Sequence, residues 1–275
     1  VNLGIVPTPA VARVCAVRDV PGAVISASHN PWSDNGIKFF AAGGRKLSDE
    51  LEARLEARLD AELGGRSSNS TADDASDSPS VDPGPLPVDT DAVAEWSDAI
   101  LASLGQLPPM HIVIDCANGA ASAVAPAILE RLGLRVDVLH DRPDGRNIND
   151  ACGSTHPEDL QRAVVESGAA LGLAFDGDAD RLVAVDECGE LVDGDQLIAL
   201  FASDMRARGS LAGDQVVVTV MSNLGFRLAM DGLGIEVVET AVGDRHVLEA
   251  LARTGSSLGG EQSGHIVFAD QATTG

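Results

Sequence analysis

The chain predicts an α/β protein of consecutive domains with largely parallel sheets. From residue 109 onward, short runs rich in Val, Ile and Leu alternate with helical segments, the rhythm of strand–helix–strand units. With 44% hydrophobic and 22% charged residues, the composition is that of an ordinary globular chain. At roughly 100–200 residues per domain, 275 residues make about two domains or parts of three. The longest apolar runs, such as residues 215–220, fall far short of the roughly 18 residues that cross a bilayer.

Taken in order, residues 23–28 read as a strand running into a turn, and residues 38–40 as a second extended piece. Residues 48–63 are the clearest helix. Ser48 is an N-cap, Asp49 and Glu50 suit the positive helix start, and Leu51, Leu55, Leu59 and Leu63 form an apolar stripe that Gly64-Gly65 ends. Residues 66–91, dominated by Ser, Asp, Pro and Gly, have almost nothing to bury and read as a flexible insertion. A strand follows at 111–115, then an Ala-rich helix to about Leu132 and a strand at 135–139. Thr155-His156-Pro157-Glu158 has the form of a capping box opening a helix to Ser167. Strands at 170–175 and 181–186 precede a hairpin turn at Cys188-Gly189. Helix 193–208, strand 215–220, helix 223–232, strand 235–240, helix 244–254 and strand 265–269 complete the pattern. Three domains are expected: 1–108, 109–191 and 192–275.

The formal net charge of −23 argues against nucleic acid or an anionic membrane surface as partner, since both repel acidic proteins. The four cysteines, at 15, 116, 152 and 188, show no C-x-x-C spacing, so they read as buried free thiols of a reducing cytosol. Residue 1 is Val with no charged-then-apolar leader, so a secretory signal is not expected, and both ends are expected to be cut from a longer protein.

Three loops look chemical. Ser26-Ala27-Ser28-His29-Asn30-Pro31 ends a strand and sets a hydroxyl beside an imidazole on a turn stiffened by Pro31. By itself it is equally an ST- or Asx-turn. Asp176-Gly177-Asp178-Ala179-Asp180-Arg181 alternates three carboxylates, which at extended spacing share one side and need a cation. Hard oxygens suit Mg²⁺, and Arg181 suits a phosphate. The rivals are a solvated acidic turn and an EF-hand loop, but the EF-hand's turn position, which wants Gly, is Arg181 and the flanks are strands. Gly259-Gly260-Glu261-Gln262-Ser263-Gly264-His265 lets backbone approach a ligand, with Glu261 and Ser263 suited to sugar hydroxyls and His265 to proton transfer; an ordinary glycine turn is the alternative. Gly243-Asp244-Arg245 is a weaker signal, a strand–helix turn capped by Asp244.

Together, in this order, the loops closely resemble the α-D-phosphohexomutase superfamily. Further pointers are Asp34-Asn35-Gly36-Ile37-Lys38-Phe39-Phe40, Met221-Ser222-Asn223-Leu224-Gly225 and Val242-Gly243-Asp244-Arg245. The resemblance covers nearly the whole chain outside 66–91. It implies consecutive mixed-sheet α/β domains with the active-site cleft between them. It further implies an enzyme interconverting glucosamine 6-phosphate and glucosamine 1-phosphate, in amino-sugar and cell-wall precursor synthesis. Ser28 would be the phosphoserine and a metal ligand with Asp176, Asp178 and Asp180, for one Mg²⁺ per site. His29, Lys38 and His265 would assist transfer, with Lys38 or a histidine as base. Arg181, Gly243, Asp244, Arg245, Glu261 and Ser263 would bind substrate. Glucosamine 1,6-bisphosphate would be activator and intermediate. The partner would be a small phosphosugar, with no nucleic acid or membrane; the place would be the cytoplasm, with room for a homodimer.

Two family loops are expected but absent: the Gly-Thr-Asp-Gly-x-Arg-Gly loop and the Arg-x-Ser-Gly-Thr phosphate loop of the C-terminal domain. Trp32 stands where Phe or Tyr is commoner. The alternatives are a phosphomannomutase or phosphoglucomutase, a haloacid-dehalogenase-like phosphatase with Asp176 as nucleophile and Asp178 as acid/base, and a non-catalytic sugar-phosphate-binding remnant.

Overall fold

The structure is a computed structural model that describes residues 1–64, 84, 86–105 and 107–275. Its regular elements are helix α1 (Thr8–Arg18), strands β1 (Gly22–Ser26) and β2 (Gly36–Phe40), helices α2 (Asp49–Gly64) and α3 (Thr90–Ser103), strand β3 (His111–Asp115), helix α4 (Ala125–Arg131), strand β4 (Arg135–Leu139), helix α5 (Glu158–Ser167), strands β5 (Leu171–Phe175), β6 (Leu182–Asp186) and β7 (Leu191–Val192), helix α6 (Gly194–Ala207), strand β8 (Gln215–Thr219), helix α7 (Leu224–Leu233), strand β9 (Glu236–Thr240), helix α8 (Asp244–Thr254), and strands β10 (Leu258–Gly260) and β11 (Ile266–Phe268).

They build three sheets. β1 and β2 form an antiparallel pair in which Ile25 faces Ile37 and Ala23 faces Phe39. The second sheet runs β4-β3-β5-β6-β7, parallel across β4, β3 and β5 and antiparallel across β6 and β7. The third runs β11-β10-β8-β9, with β11 antiparallel to β10 and the rest parallel. The sheets are therefore mixed. That is the mixed-sheet architecture the family resemblance implies; the expectation of largely parallel pairing drawn from the strand–helix rhythm fails only at the hairpins, where a short turn can only return the chain antiparallel.

Period-two burial explains the layers. In β8, Val216 and Val218 face the core of α6 and α7 with Phe226 and Met230, while Val217 faces Val247 and Leu251 of α8. In β3, Ile112 and Ile114 pack toward Ala121 and Leu129, and Val113 toward Leu160 and Val164 of α5. Each such fully buried side chain contributes about 1.5–3 kcal/mol. α1, α3 and the hairpin share a core of Val11, Val24, Phe40 and Trp96 that continues into Val124 and Ile128 beside α4. No helix among the described residues is long and apolar enough to cross a membrane.

Several local expectations need correction. The Ala-rich helix is broken into a 3-10 turn, Ala120–Ala123, and α4, with a non-helical Val124 between them and Pro126 in the first turn of α4. The capping box at Thr155 is not made: Pro157 sits at the cap of α5 and no side chain caps it, because Gly153–Thr155 is a 3-10 turn. Ser48 does accept a bond from the Leu51 N–H, but Leu51, Leu55 and Leu59 are exposed, since no described element covers that face of α2. Cys188 is exposed in the β6–β7 turn, whereas Cys15, Cys116 and Cys152 are buried and free. The 66–91 insertion lies largely outside the described residues; Val88 bridges Asn2, and Asp89 caps α3 by accepting the Ala92 N–H at 3.0 Å. Helices α1 and α3 and strand β10 had no counterpart in the sequence reading.

At Gly172 of β5, a Cβ would lie 2.7 Å from Val164 and 2.8 Å from Leu160, so α5 rests directly on the strand. Gly172→Ala is expected to cost about 1–3 kcal/mol by overpacking. Urea unfolding followed by circular dichroism measures it, and Leu160→Val in the same chain is expected to restore part of the loss.

Candidate active site

The Asp176 loop is a turn, not an extended strand. Ala179 is left-handed at φ 53° and its N–H bonds the Asp176 carbonyl at 3.0 Å. The carboxylates converge because the chain curls around Asp176, whose Oδ1 accepts the N–H groups of Asp180 (3.1 Å) and Arg181 (3.2 Å). Asp176, Asp178 and Asp180 are 0%, 1% and 5% exposed, and one oxygen of each lies within 4.8 Å of the others.

Burial in the company of Asp180 and Asp178 pushes the Asp176 carboxyl well above its usual range. Burial also works to raise Asp180, but His265 and the Lys38 ammonium outweigh it and hold that carboxyl well below the usual range. Lys38 reaches from β2 to Asp178 at 2.6 Å and Asp180 at 2.8 Å. Burial opposes its charge, yet Asp180 and Asp178 raise its pKa, so Lys38 is held as a cation here. Of the two base candidates, Lys38 or a histidine, Lys38 is the one the geometry disfavours, because a lysine clasped by two carboxylates is a poor proton acceptor. Asp178 Oδ1 and Asp180 Oδ1 are buried and accept no hydrogen bond among the described residues. Free lone pairs in a hard-oxygen cluster fit a divalent metal ion, so the triad can hold one.

The serine loop meets this cluster. Ser28 is left-handed at φ 53°, and its N–H is taken by Ser26 Oγ at 2.9 Å. Ser28 Oγ lies 3.3 Å from Asp176 Oδ2 and 3.4 Å from His29 Nδ1. Burial, then the charge of Arg181, lowers the His29 pKa and favours a neutral imidazole. The Gly177 N–H bonds the Ser28 carbonyl at 3.1 Å, and a Cβ on Gly177 would meet that carbonyl at 2.5 Å.

The glycine loop closes from the third sheet. Gly264, at φ 92°, packs where a Cβ would stand 2.1 Å from the Leu182 carbonyl. The Leu182 N–H bonds the Gly264 carbonyl at 3.0 Å. His265 is buried, with Nδ1 3.8 Å from Asp180 and Nε2 4.0 Å from Asp244. Glu261 Oε1 accepts the Gly243 N–H at 2.9 Å, and Ser263 Oγ is buried without a partner among the described residues. Asp244 does not cap α8: Gly243 is at the cap position, and the Asp244 carboxylate pairs with Lys46, which outweighs burial and lowers its pKa. Arg245 bonds Glu52 of α2 at 2.5 Å. A cavity of about 330 Å³, lined by Lys38, Lys46, Arg245 and His246 among others, separates these elements.

Two further residues act on the site. Thr8 starts α1 with its hydroxyl donating to Asp178 Oδ2 at 2.5 Å and its N–H to the Asp178 carbonyl at 2.9 Å. Asn149 Nδ2 donates to the carbonyls of Ser28 (2.7 Å) and Asn30 (2.9 Å). Each is distant in sequence from the loop it holds; only the turn-forming run around Asn149 hinted at a special backbone. Thr8→Val removes the donor on Asp178 at nearly constant volume. Such orienting partners govern metal affinity by about 10–100-fold. We expect Mn²⁺ affinity, measured by electron paramagnetic resonance, to fall about tenfold.

Residues 1–64, 90–189 and 193–275 match alpha/beta/alpha domains I, II and III of phosphoglucomutase/phosphomannomutase. The phosphoglucosamine mutase of Desulforudis audaxviator is 52% identical over all of this chain and 60% of its own length. That of Rhodococcus jostii is 50% identical with the same coverage. The chain thus spans about 60% of the length of the curated relatives it matches. A Burkholderia thailandensis phosphoglucomutase/phosphomannomutase family protein superposes with a TM-score of 0.78 at 26% identity, covering 99% of this chain and 58% of that one. Aspergillus fumigatus N-acetylphosphoglucosamine mutase, solved with GlcNAc-6P and magnesium, has the same fold with a TM-score of 0.62 at 20% identity, covering 95% and 65%. With the serine, aspartate and glycine loops gathered at one site and all three domain types matched in order, this chain belongs to the phosphoglucomutase/phosphomannomutase family of phosphohexomutases.

Proposed function

We propose that the chain carries the phosphoserine, metal and sugar-reading loops of a phosphoglucosamine mutase. The reaction interconverts glucosamine 6-phosphate and glucosamine 1-phosphate through a phosphoserine enzyme and a glucosamine 1,6-bisphosphate intermediate. The observation that carries this reading is the juxtaposition of Ser28 Oγ, 3.3 Å from Asp176, with a triad whose buried oxygens on Asp178 and Asp180 stand free. About 50% identity to phosphoglucosamine mutases favours that substrate over mannose or glucose phosphates.

Asp176, Asp178 and Asp180, with the phosphate on Ser28, are the set that would hold one Mg²⁺. Bound there, it would neutralise charge developing on the transferring phosphoryl group. The rest falls to the chain. In the first transfer the Ser28 Oγ–P bond breaks as a P–O bond forms to the free sugar hydroxyl, which loses its proton; Ser28 Oγ regains one. In the second, the bisphosphate has turned end for end, and its other phosphate returns to Ser28. His29, 3.4 Å from Ser28 Oγ and biased to neutrality, is the group suited to exchange that proton. Lys38 serves as a fixed cation, and Arg181, directly after the triad, is the residue that would meet the phosphate. Glu261 and Ser263 read hydroxyls, with Asp244 and Arg245 lining the cavity and Gly243 beside them also set to meet substrate. His265 bridges Asp180 and Asp244 and keeps both loops in place. Units 1–108, 109–191 and 192–275, a cytoplasmic site of action and a homodimer belong to the same reading.

Incubation with Mg²⁺ and labelled glucosamine 1,6-bisphosphate, followed by phosphopeptide mapping, tests it. We expect an acid-stable phosphate on the Ser28 peptide that disappears in Ser28→Ala. A hydroxylamine-labile phosphate on Asp176 would overturn the phosphoserine reading in favour of a phosphatase. Replacing His29 by Gln is expected to slow Ser28 labelling by about 10²–10⁴-fold, the usual weight of proton transfer, with metal affinity unchanged.

A further inference from the structure

A second cluster of ligand-type side chains stands behind the Asp176 loop and plays no part in the mechanism above. Asp115 ends β3, His140 follows β4 and Cys152 precedes the 3-10 turn at Gly153, so all three sit at one end of the sheet's parallel half. Open α/β sheets tend to bind ligands beyond the carboxyl ends of their parallel strands. One oxygen, one nitrogen and one sulfur from these residues lie within 4.8 Å of one another. Asp115 and Cys152 are fully buried, while the His140 side chain is 26% exposed and leaves a way in from solvent.

The surroundings are those of a supported metal site. His140 Nδ1 lies 3.0 Å from Asp115 Oδ2, and its far nitrogen, Nε2, lies 3.5 Å from Asp159 Oδ2 at the start of α5. A carboxylate on the far side of a histidine fixes the tautomer that a metal requires. Asp115 is itself oriented by the N–H groups of Ala117 (2.8 Å, to Oδ1) and Gly153 (3.0 Å, to Oδ2). The Asn118 amide points at Cys152 Sγ from 3.8 Å, a donor suited to a thiolate.

We propose that Asp115, His140 and Cys152 form a second metal site, for a borderline-soft divalent cation such as Zn²⁺, with a fourth position open to water. The mixed O, N, S set selects against Mg²⁺, which prefers an all-oxygen shell. Binding expels the Cys152 proton to solvent, and with Nδ1 on the ion the imidazole proton sits on Nε2, which lies 3.5 Å from Asp159 Oδ2. One proton is released per ion, and affinity rises with pH. The site is coupled to the catalytic loop through backbone: the Ala120 N–H bonds the Gly177 carbonyl at 2.8 Å, and Gly119 packs against Gly177. An ion here pins the platform on which the Asp176 loop rests.

The test is Co²⁺ titration of the chain in excess Mg²⁺, in a Cys188→Ser background that removes the exposed thiol. One equivalent should produce a thiolate-to-cobalt charge-transfer band and intense tetrahedral visible bands, both abolished by Zn²⁺. Cys152→Ser should remove the charge-transfer band. His140→Asn, which tolerates the left-handed backbone at φ 50°, should weaken binding more than tenfold, and Asp159→Asn about tenfold. Zn²⁺ should raise the melting temperature of the parent but not of Cys152→Ser, and each variant's circular dichroism spectrum reports whether it folds. Absence of the charge-transfer band, or its survival in a folded Cys152→Ser chain, overturns the proposal.

Discussion

Like-charge repulsion among three buried carboxylates governs this structure. Two unit charges about 4 Å apart repel by roughly 4 kcal/mol at an effective dielectric constant of about 20. Asp176, Asp178 and Asp180 make three such pairs, in a place with almost no water. Lys38 answers one charge, and burial beside Asp180 and Asp178 pushes the Asp176 carboxyl well above its usual range, the mark of a second charge left unanswered. With all three carboxylates ionised beside one ammonium, the deficit is two charges, which a divalent ion matches. Without such an ion the cluster is an electrostatic burden that the surrounding fold must hold in place.

It is held by backbone more than by side chains. The Asp176 loop can curl only because Ala179 accepts a left-handed conformation and because Gly177 leaves room for the Ser28 carbonyl and Ile148. The serine loop carries its own strain, at Ser28, and a non-glycine residue with positive φ persists only where neighbours over-determine it. Here they do: Ser26 Oγ takes the Ser28 N–H, while Gly177 N–H and Asn149 Nδ2 share its carbonyl. The hydroxyl is thereby fixed against Asp176, 3.3 Å from its Oδ2.

Much of this was legible in the residues, unevenly. Strands β3 to β6, β8, β9 and β11 and helices α5 to α8 are legible to within a few residues, because their apolar runs are bounded by Gly, Asp and Asn, as at Asn223 before α7 and Gly189 between β6 and β7, whereas β10 lies in a glycine run that reads as a turn. The carboxylate cluster was legible from spacing, although through the wrong geometry: a turn, not a strand, brings the oxygens together. Helix α1 was missed because apolar residues lie all around it, and α3 because its cap, Asp89, sits in a tract that composition marks as loop. Thr8 and Asn149 were out of reach for a different reason. Their partners are 170 and 121 residues away, and no local pattern encodes such contacts. Lys38 was identified as a residue of the site, but its protonation state depends on carboxylates 140 and 142 residues away.

The same charge deficit ties the three sheets together. Lys38 reaches the triad from the hairpin, the triad belongs to the β5–β6 connection, and His265 reaches Asp180 from the glycine loop beside β11. His265 also faces Asp244, which pairs with Lys46 back near the hairpin, so the ring of charges closes on itself. Between the second and third sheets the approach is rigid, because the Leu182–Gly264 contact leaves no room even for a methyl group. Between the hairpin and the third sheet it rests on ion pairs, Lys46 with Asp244 and Arg245 with Glu52, around an open cavity. Lys38, held by Asp178 and Asp180, also lines that cavity, so the triad and the cavity share one cation. The electrostatics of the triad and of the cavity are therefore coupled through one lysine, and the softer of the two junctions is the one that borders the cavity.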